Sequence, residues 1–264
     1  MTDLPLKVRV AGWVGALLFW VVLSGLSLGF DVPLADAILL AVLLVAVPAF
    51  AMAQLPLVEG VRVERLPAYW GSIAALWMIG SASWLVGTRS QGAAALGLVA
   101  LPPLALGAWS AGLTLGALLV VLAFRQIAVS TGAVESPVLR ELLPTTPREK
   151  RVFALLSLAA GSAEELAYRG YALLVLSPLV GTWGALALTS VVFGVLHAYQ
   201  GSLGMVRTAL MGAVLGWGYV ASGSLWPAIV AHAGIDLLAG LVFGERLLPP
   251  PRPARVVGGT HGTL

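Results

Sequence analysis

Three apolar stretches of the chain carry EELAYR (Glu164 to Arg169), FGVLH (Phe193 to His197) and HAGID (His232 to Asp236). Two adjacent acids, an arginine, two histidines and a further acid therefore occur in segments otherwise built of Ala, Leu, Val and Gly. At the centre of a membrane helix each ionisable side chain costs roughly 2.5–3.5 kcal/mol on insertion scales, which makes each one a functional hypothesis by default. Carboxylates and imidazoles are also the groups that take up and return protons at a reacting centre. As a set, these residues point to hydrolytic chemistry inside a membrane.

Their spacing assigns provisional roles. Successive residues on an α-helix are turned by about 100°, so regular helix sends Glu164 and Glu165 to different faces, one to the reaction and one to structure. Arg169 follows Glu165 by four residues, on the same face and in the favourable order of acid before base. This predicts a Glu165–Arg169 ion pair and leaves Glu164 for chemistry; the alternative is that both acids merely neutralise the arginine. His232 and Asp236 are also four apart, as suits an acid that fixes the tautomer of an imidazole or completes a metal shell. A lone buried histidine is more often a hydrogen-bonded core residue than a catalyst. Here the chain has 3 histidines, and His197 and His232 both fall in motifs, whereas His261 in the C-terminal segment receives no role.

The elements that position these groups are legible in the composition. The 264 residues are 59% hydrophobic and 10% charged, with a mean hydropathy of +0.96. Soluble domains carry about 25% charged residues. Apolar runs of spanning length fall near 10–30, 33–53, 69–87, 106–124, 151–177, 180–198, 203–222 and 224–243. The expected fold is an all-α integral membrane protein, a bundle of about eight transmembrane helices. The first run exceeds the 7–15-residue core of a signal peptide and is read as a retained helix. Pro102-Pro103 interrupts the fourth apolar stretch, so a short surface or re-entrant segment is expected before the prolines and a helix after them. Glu164 follows Arg151 by 13 residues, roughly 20 Å along a helix, well inside a hydrocarbon core about 30 Å thick.

The basic residues set the topology. With the N-terminus in the cytoplasm, Lys7, Arg9, Arg62, Arg65, Arg125, Arg140, Arg148, Lys150, Arg151, Arg246, Arg252 and Arg255 collect inside and Arg89 alone outside, while Arg207 sits near the cytoplasmic start of the seventh helix. This positive-inside bias places both termini in the cytoplasm and explains the pI near 9.6 without nucleic acid. The expected partners are membrane lipid and a membrane-associated peptide or protein. The chain has no cysteine, which removes disulfides, thiolate metal sites and a thiol nucleophile. The small-residue pairs Gly112/Gly116 and Gly212/Gly216 are read as packing.

The pattern EExxxR, then FxxxH, then HxxxD/N resembles the CPBP (Abi, CAAX protease and bacteriocin-processing) family of intramembrane peptidases, over roughly residues 145–245. SGSLWPAIVAH, from Ser222 to His232, is similar to the family's last motif helix. The resemblance implies a CAAX-protease-like helical bundle. It divides the chain into helices one to four with a cytoplasmic loop (1–144), catalytic helices five to eight (145–245) and a loose cytoplasmic tail (246–264). It further implies that Glu164 and His197 activate a water for attack on a peptide carbonyl and that His232 and Asp236 hold the oxyanion. The common residue at position 236 is Asn, whose amide can donate. An ionised Asp236 can only accept, so this residue is protonated, orients His232 or helps bind a metal. Zinc on Glu164, His197 and His232 is the alternative to metal-free chemistry, since catalytic zinc takes three protein ligands and a water. Eukaryotic members cleave after a prenylated cysteine; bacterial members act in peptide maturation, bacteriocin self-immunity or signalling. The composition suits a bacterial cytoplasmic membrane.

Other peptidase signatures are missing from the sequence: there is no HExxH helix, no GxSG and no GxGD. Two competing functions use the same residues: a proton-coupled transporter with acid/histidine relays, and a catalytically silent membrane scaffold of the immunity type. The sequence shows no internal repeat of the kind many transporters are built from.

Overall fold

The computed structural model describes residues 6–58, 63–89, 92–133 and 136–248, and all regular structure among them is helical. Helix α1 is Leu6–Ser24, continued by a π-turn at Gly25–Gly29; α2 runs from Leu34–Ala41 through a π-turn at Val42–Ala46 into Val47–Val58. Then come α3 (Arg65–Gly87), α4 (Pro103–Thr131) and the short α5 (Pro137–Glu141). Helix α6 joins Pro147–Glu164, a π-helical segment Glu165–Ala172 and Leu173–Val180 without a break. Helices α7 (Thr182–Leu196), α8 (Ser202–Ser222) and α9 (Trp226–Leu237, continued at Leu238–Phe243) complete the bundle.

Each of the eight expected apolar runs lies on one long helix. Six are long and apolar enough to cross a membrane: Val8–Gly29, Leu34–Leu55, Arg65–Gly87, Pro103–Thr131, Ser202–Ser222 and Trp226–Leu247. The other two are α6, which begins with the charged PREKR, and α7, whose 15 residues reach about 22 Å at 1.5 Å per residue, short of a full span. The protein is an all-α integral membrane protein in which the two helices carrying the first two motifs are those least suited to face lipid.

Local signals set the helix ends. Helix α6 opens with a capping box: the Glu149 amide donates to Thr146 Oγ1 (3.2 Å), and the Thr146 amide donates to Glu149 Oε2 (2.9 Å). Pro147 fills the first turn, where a missing N–H is harmless. Gly223 ends α8 at φ 68°, a left-handed conformation that side chains resist.

Close approaches build the bundle around α6. A Cβ added at Gly161 would lie 2.7 Å from the Ala233 amide nitrogen, so only glycine lets α6 and α9 meet there. Leu96 is fully buried, and the segment before the proline pair dips inward as expected. Gly97 O accepts from the Leu225 amide at 2.7 Å, and Val99 O from Ser224 Oγ at 2.6 Å, tying this segment to the start of α9. Side chains such as Trp13, Trp20, Trp77 and Leu104 stand outside the bundle, as a lipid-facing surface requires.

Polar contacts gather at the two ends. At one, Arg65 Nε donates to Glu141 O (2.6 Å), Tyr69 Oη to Leu142 O (2.6 Å) and Arg125 Nε to Arg246 O (3.0 Å). At the other, Arg89 pairs with Asp36, and Tyr171 Oη donates to Asp36 Oδ1 at 3.0 Å. Two sequence boundaries shift. Helix α4 runs on to Thr131, so Arg125 is helical; and Leu247 and Leu248, expected in a loose tail, are buried. Arg62, and the remaining tail from 249 to 264 with Arg252, Arg255 and His261, lie outside the described residues.

Candidate active site

The three motifs meet where α6 changes from α- to π-helix. Glu165 opens the π-helical segment; its i→i+5 bonds underwind the backbone, so neighbouring side chains turn through a smaller angle than in α-helix, and such segments are frequent at functional sites. Glu165 Oε1 lies 2.8 Å from His232 Nδ1, and Glu164 Oε2 lies 3.6 Å from His232 Nε2. The two acids flank one imidazole from its two nitrogens.

Glu165 is fully buried, and its Oε1 accepts from both Arg169 Nη1 and His232 Nδ1, each at 2.8 Å. The predicted ion pair with Arg169 is present. The guanidinium also lies over the Phe193 ring, 4.3 Å from its centroid, a cation–π contact that accommodates a cation away from water. A Cβ at Gly212 would stand 2.5 Å from Arg169 Nη2. The Gly212/Gly216 pair thus makes room for this arginine, whereas nothing approaches Gly112 within 4 Å.

His232 is held by Glu165. Asp236 Oδ2 stands 3.9 Å from Nε2, beyond hydrogen-bond reach. The notion that Asp236 fixes the His232 tautomer is thereby corrected, because that contact belongs to an acid 67 residues earlier in the chain.

His197 follows the last residue of α7 at φ −95°, ψ 21°. Its Nδ1 lies 2.8 Å from Phe193 O. A carbonyl only accepts, so Nδ1 carries the hydrogen and Nε2 keeps a lone pair. The Phe193 ring is 4.8 Å from the His197 ring and 5.8 Å from that of His232, so it touches both imidazoles as well as the guanidinium.

Several polar atoms at the centre are buried without a hydrogen-bond partner: Glu164 Oε2, Glu165 Oε2, Arg169 Nε and Arg169 Nη2. Such orphans are rare in folded proteins and call for an explanation. Among the described residues no group of three or more acids and histidines is arranged to hold an ion, and the zinc set Glu164, His197 and His232 is not assembled. Both histidines engage Nδ1 and leave Nε2 open.

Sequence reasoning missed three contributors. Phe193 was only a motif letter. Asp36 lay unremarked in an apolar run. Arg207, placed near a cytoplasmic helix start, is buried, and its Nη2 donates to Gln200 Oε1 at 2.9 Å; an arginine five residues inside an otherwise apolar helix was the available signal.

Fold and site together define a helical membrane protein with an acid–histidine centre enclosed by its helices. Residues 148–238 match the family model described as Rce1-like, type II CAAX prenyl endopeptidase Rce1-like, the same family the three motifs resemble. The matched stretch begins in the first turn of α6 and ends just past Asp236, so it contains every residue of the centre. The match supports an intramembrane endopeptidase at the level of the class. No curated protein and no solved structure matches the chain.

Proposed function

We propose that this protein hydrolyses a peptide bond in a membrane-associated protein or peptide, with water activated by Glu164 and His197. The observation that carries the reading is the contrast between adjacent acids. Glu165 is engaged through Oε1 by both Arg169 and His232, whereas Glu164 Oε2 makes no hydrogen bond and lies at ion-pair distance, 3.6 Å, from His232 Nε2. Arg169 and the Nδ1 of His232 occupy Glu165, which leaves Glu164 as the acid on the Nε2 side of His232.

The chemistry follows from the proton inventory. His197 Nε2, a lone pair fixed by the Nδ1–Phe193 contact, accepts a proton from water with Glu164 as its partner. The new C–O bond pushes the carbonyl electrons onto oxygen. Collapse of that intermediate breaks the C–N bond, and the proton held by the base leaves with the amine. His232 faces the centre through Nε2, with Glu164 and Asp236 on either side, and in its imidazolium form donates to the developing charge. Asp236 Oδ2 stands 3.9 Å from His232 Nε2, beyond hydrogen-bond reach, and an ionised carboxylate there has no hydrogen to give the oxyanion. No step is routed through a metal.

The basic end, with Arg65, Arg125 and Arg140, faces the cytoplasm in this reading, with both termini inside a bacterial cytoplasmic membrane. Residues 1–144 form the frame and 145–248 the catalytic unit, with Leu247 and Leu248 packed into it, and the cytoplasmic tail follows.

The test is a mass-spectrometric comparison of peptide termini in membranes from cells carrying wild-type protein or Glu164→Ala at matched expression. Termini present only with the wild type are expected and would name the substrates. Identical profiles would turn attention to the scaffold and transporter readings.

A further inference from the structure

Asp236 leaves the proposed reaction short of a hydrogen-bond donor for the oxyanion, and the turn after His197 contains one. Ala198–Gln200 is a single 3₁₀ turn between α7 and α8, and Gly201 at φ 86° reverses the chain into α8. In that turn the Gln200 amide has a fixed orientation. Arg207 Nη2 donates to Gln200 Oε1 at 2.9 Å, and Thr208 Oγ1 donates to the same oxygen at 3.4 Å. A guanidinium can only donate, so the oxygen of the amide must face it and the NH₂ must face the other way. That NH₂ lies 3.3 Å from Tyr199 Oη.

The phenol oxygen thus receives a hydrogen and retains one of its own to give. Among the described residues no acceptor takes it. The Tyr199 ring is half-buried and 5.8 Å from the His197 ring, at 37° to it. The Tyr199 ring therefore stands beside the imidazole whose Nε2 is free to bind water.

We propose that Tyr199 donates a hydrogen bond to the oxyanion formed when water adds to the substrate carbonyl, and that Gln200 and Arg207 are positioning residues that aim it. The inference rests on the peptidase reading above. Tyr199 keeps its proton throughout; the proton of the attacking water passes to His197 and Glu164 and then to the departing amine. Successive hydrogen bonds from a charged donor polarise one another, so the Arg207–Gln200–Tyr199 chain makes the last O–H a better donor than a free phenol.

The experiment uses a synthetic peptide spanning a cleavage site that depends on Glu164, as found by terminal profiling, with full-length protein in lipid vesicles. Tyr199→Phe keeps the ring against His197 and removes only the hydroxyl. Loss of one oxyanion donor lowers kcat by roughly 10²–10³-fold, with KM expected to hold within about twofold, the signature of an interaction made in the transition state. Gln200→Leu, which leaves the hydroxyl unaimed, should fall between wild type and Tyr199→Phe. Should Tyr199→Phe not insert, replacement of Tyr199 by 3-fluorotyrosine keeps the shape and changes the donor, and kcat must change with it. A wild-type kcat for either variant, with cleavage still dependent on Glu164, overturns the role of Tyr199 and spares the peptidase reading. A raised KM at unchanged kcat makes Tyr199 a ground-state contact and also overturns it. Absence of any Glu164-dependent termini overturns the peptidase reading and this inference with it.

Discussion

Asp36 and Glu164 are both carboxylates on helices of an integral membrane protein, and they differ in what surrounds them. Asp36 is closed off: one oxygen accepts from Tyr171 Oη at 3.0 Å and the other pairs with Arg89. Glu164 is open: its Oε2 is buried with no hydrogen-bond partner. A buried polar group left unsatisfied is unfavourable by about 1–3 kcal/mol, and more if charged. A carboxylate with all its partners stabilises the helix contacts it joins. One with an unsatisfied oxygen is held at some expense of stability, as functional sites allow. Within the centre, Glu165 Oε1 does for His232 and Arg169 what Asp36 does for Tyr171 and Arg89, while Glu165 Oε2, like Glu164 Oε2, makes no hydrogen bond.

The largest expected effect tests whether Glu165 belongs with Asp36. Glu165→Gln removes the charge opposite a fully buried arginine, and breaking one partner of a buried pair costs about 3–5 kcal/mol. The thermal midpoint in detergent should fall sharply. A variant of wild-type stability that is wholly inactive would mean that the two acids have been assigned the wrong way round.

Asp36→Asn should have a much smaller effect, because the Arg89 side chain is 39% exposed and exposed ion pairs contribute about 1 kcal/mol or less. Asparagine can still accept from Tyr171. A modest drop in midpoint with unaltered cleavage is expected; loss of cleavage would break the distinction between the two regions.

The smallest effect concerns Glu149, at the start of α6. The backbone amides of Thr146 and Thr145, aided by the Thr145 hydroxyl and by Arg65, hold its carboxyl at about 2, below the ordinary 4.5. A depressed folded value contributes stability in full above pH 4.5 and loses it as pH falls toward 2. Glu149→Gln should therefore flatten the dependence of the midpoint on pH across that window and leave cleavage at pH 7 unchanged. An acid limb identical to wild type would show that this cap does not hold the helix.

What the sequence disclosed follows from the range of each interaction. Hydropathy marked the long helices among the described residues, and the Glu165–Arg169 pair was legible because its partners are four residues apart on one helix. The switch to π-helix at Glu165 was not, since no residue in ELAYRGYA announces it. The Glu165–His232 contact joins residues 67 apart and depends on how α6 and α9 pack, so the sequence offered the nearer Asp236 in its place. The Tyr199–Gln200–Arg207 chain was hidden for a similar reason: a turn separates its members, and Arg207 read as one more basic residue at a helix end.

The most direct test of the account is a paired measurement on Glu164→Gln, with cleavage of an identified substrate and the thermal midpoint taken on the same preparation. The rate should fall roughly 10²–10⁴-fold, the range for a general base, with the midpoint close to wild type, because a neutral amide removes a buried carboxylate oxygen that makes no hydrogen bond. Retained cleavage would contradict the assignment of Glu164 as the reacting acid, and a collapsed midpoint would show it to be structural, as Glu165 is.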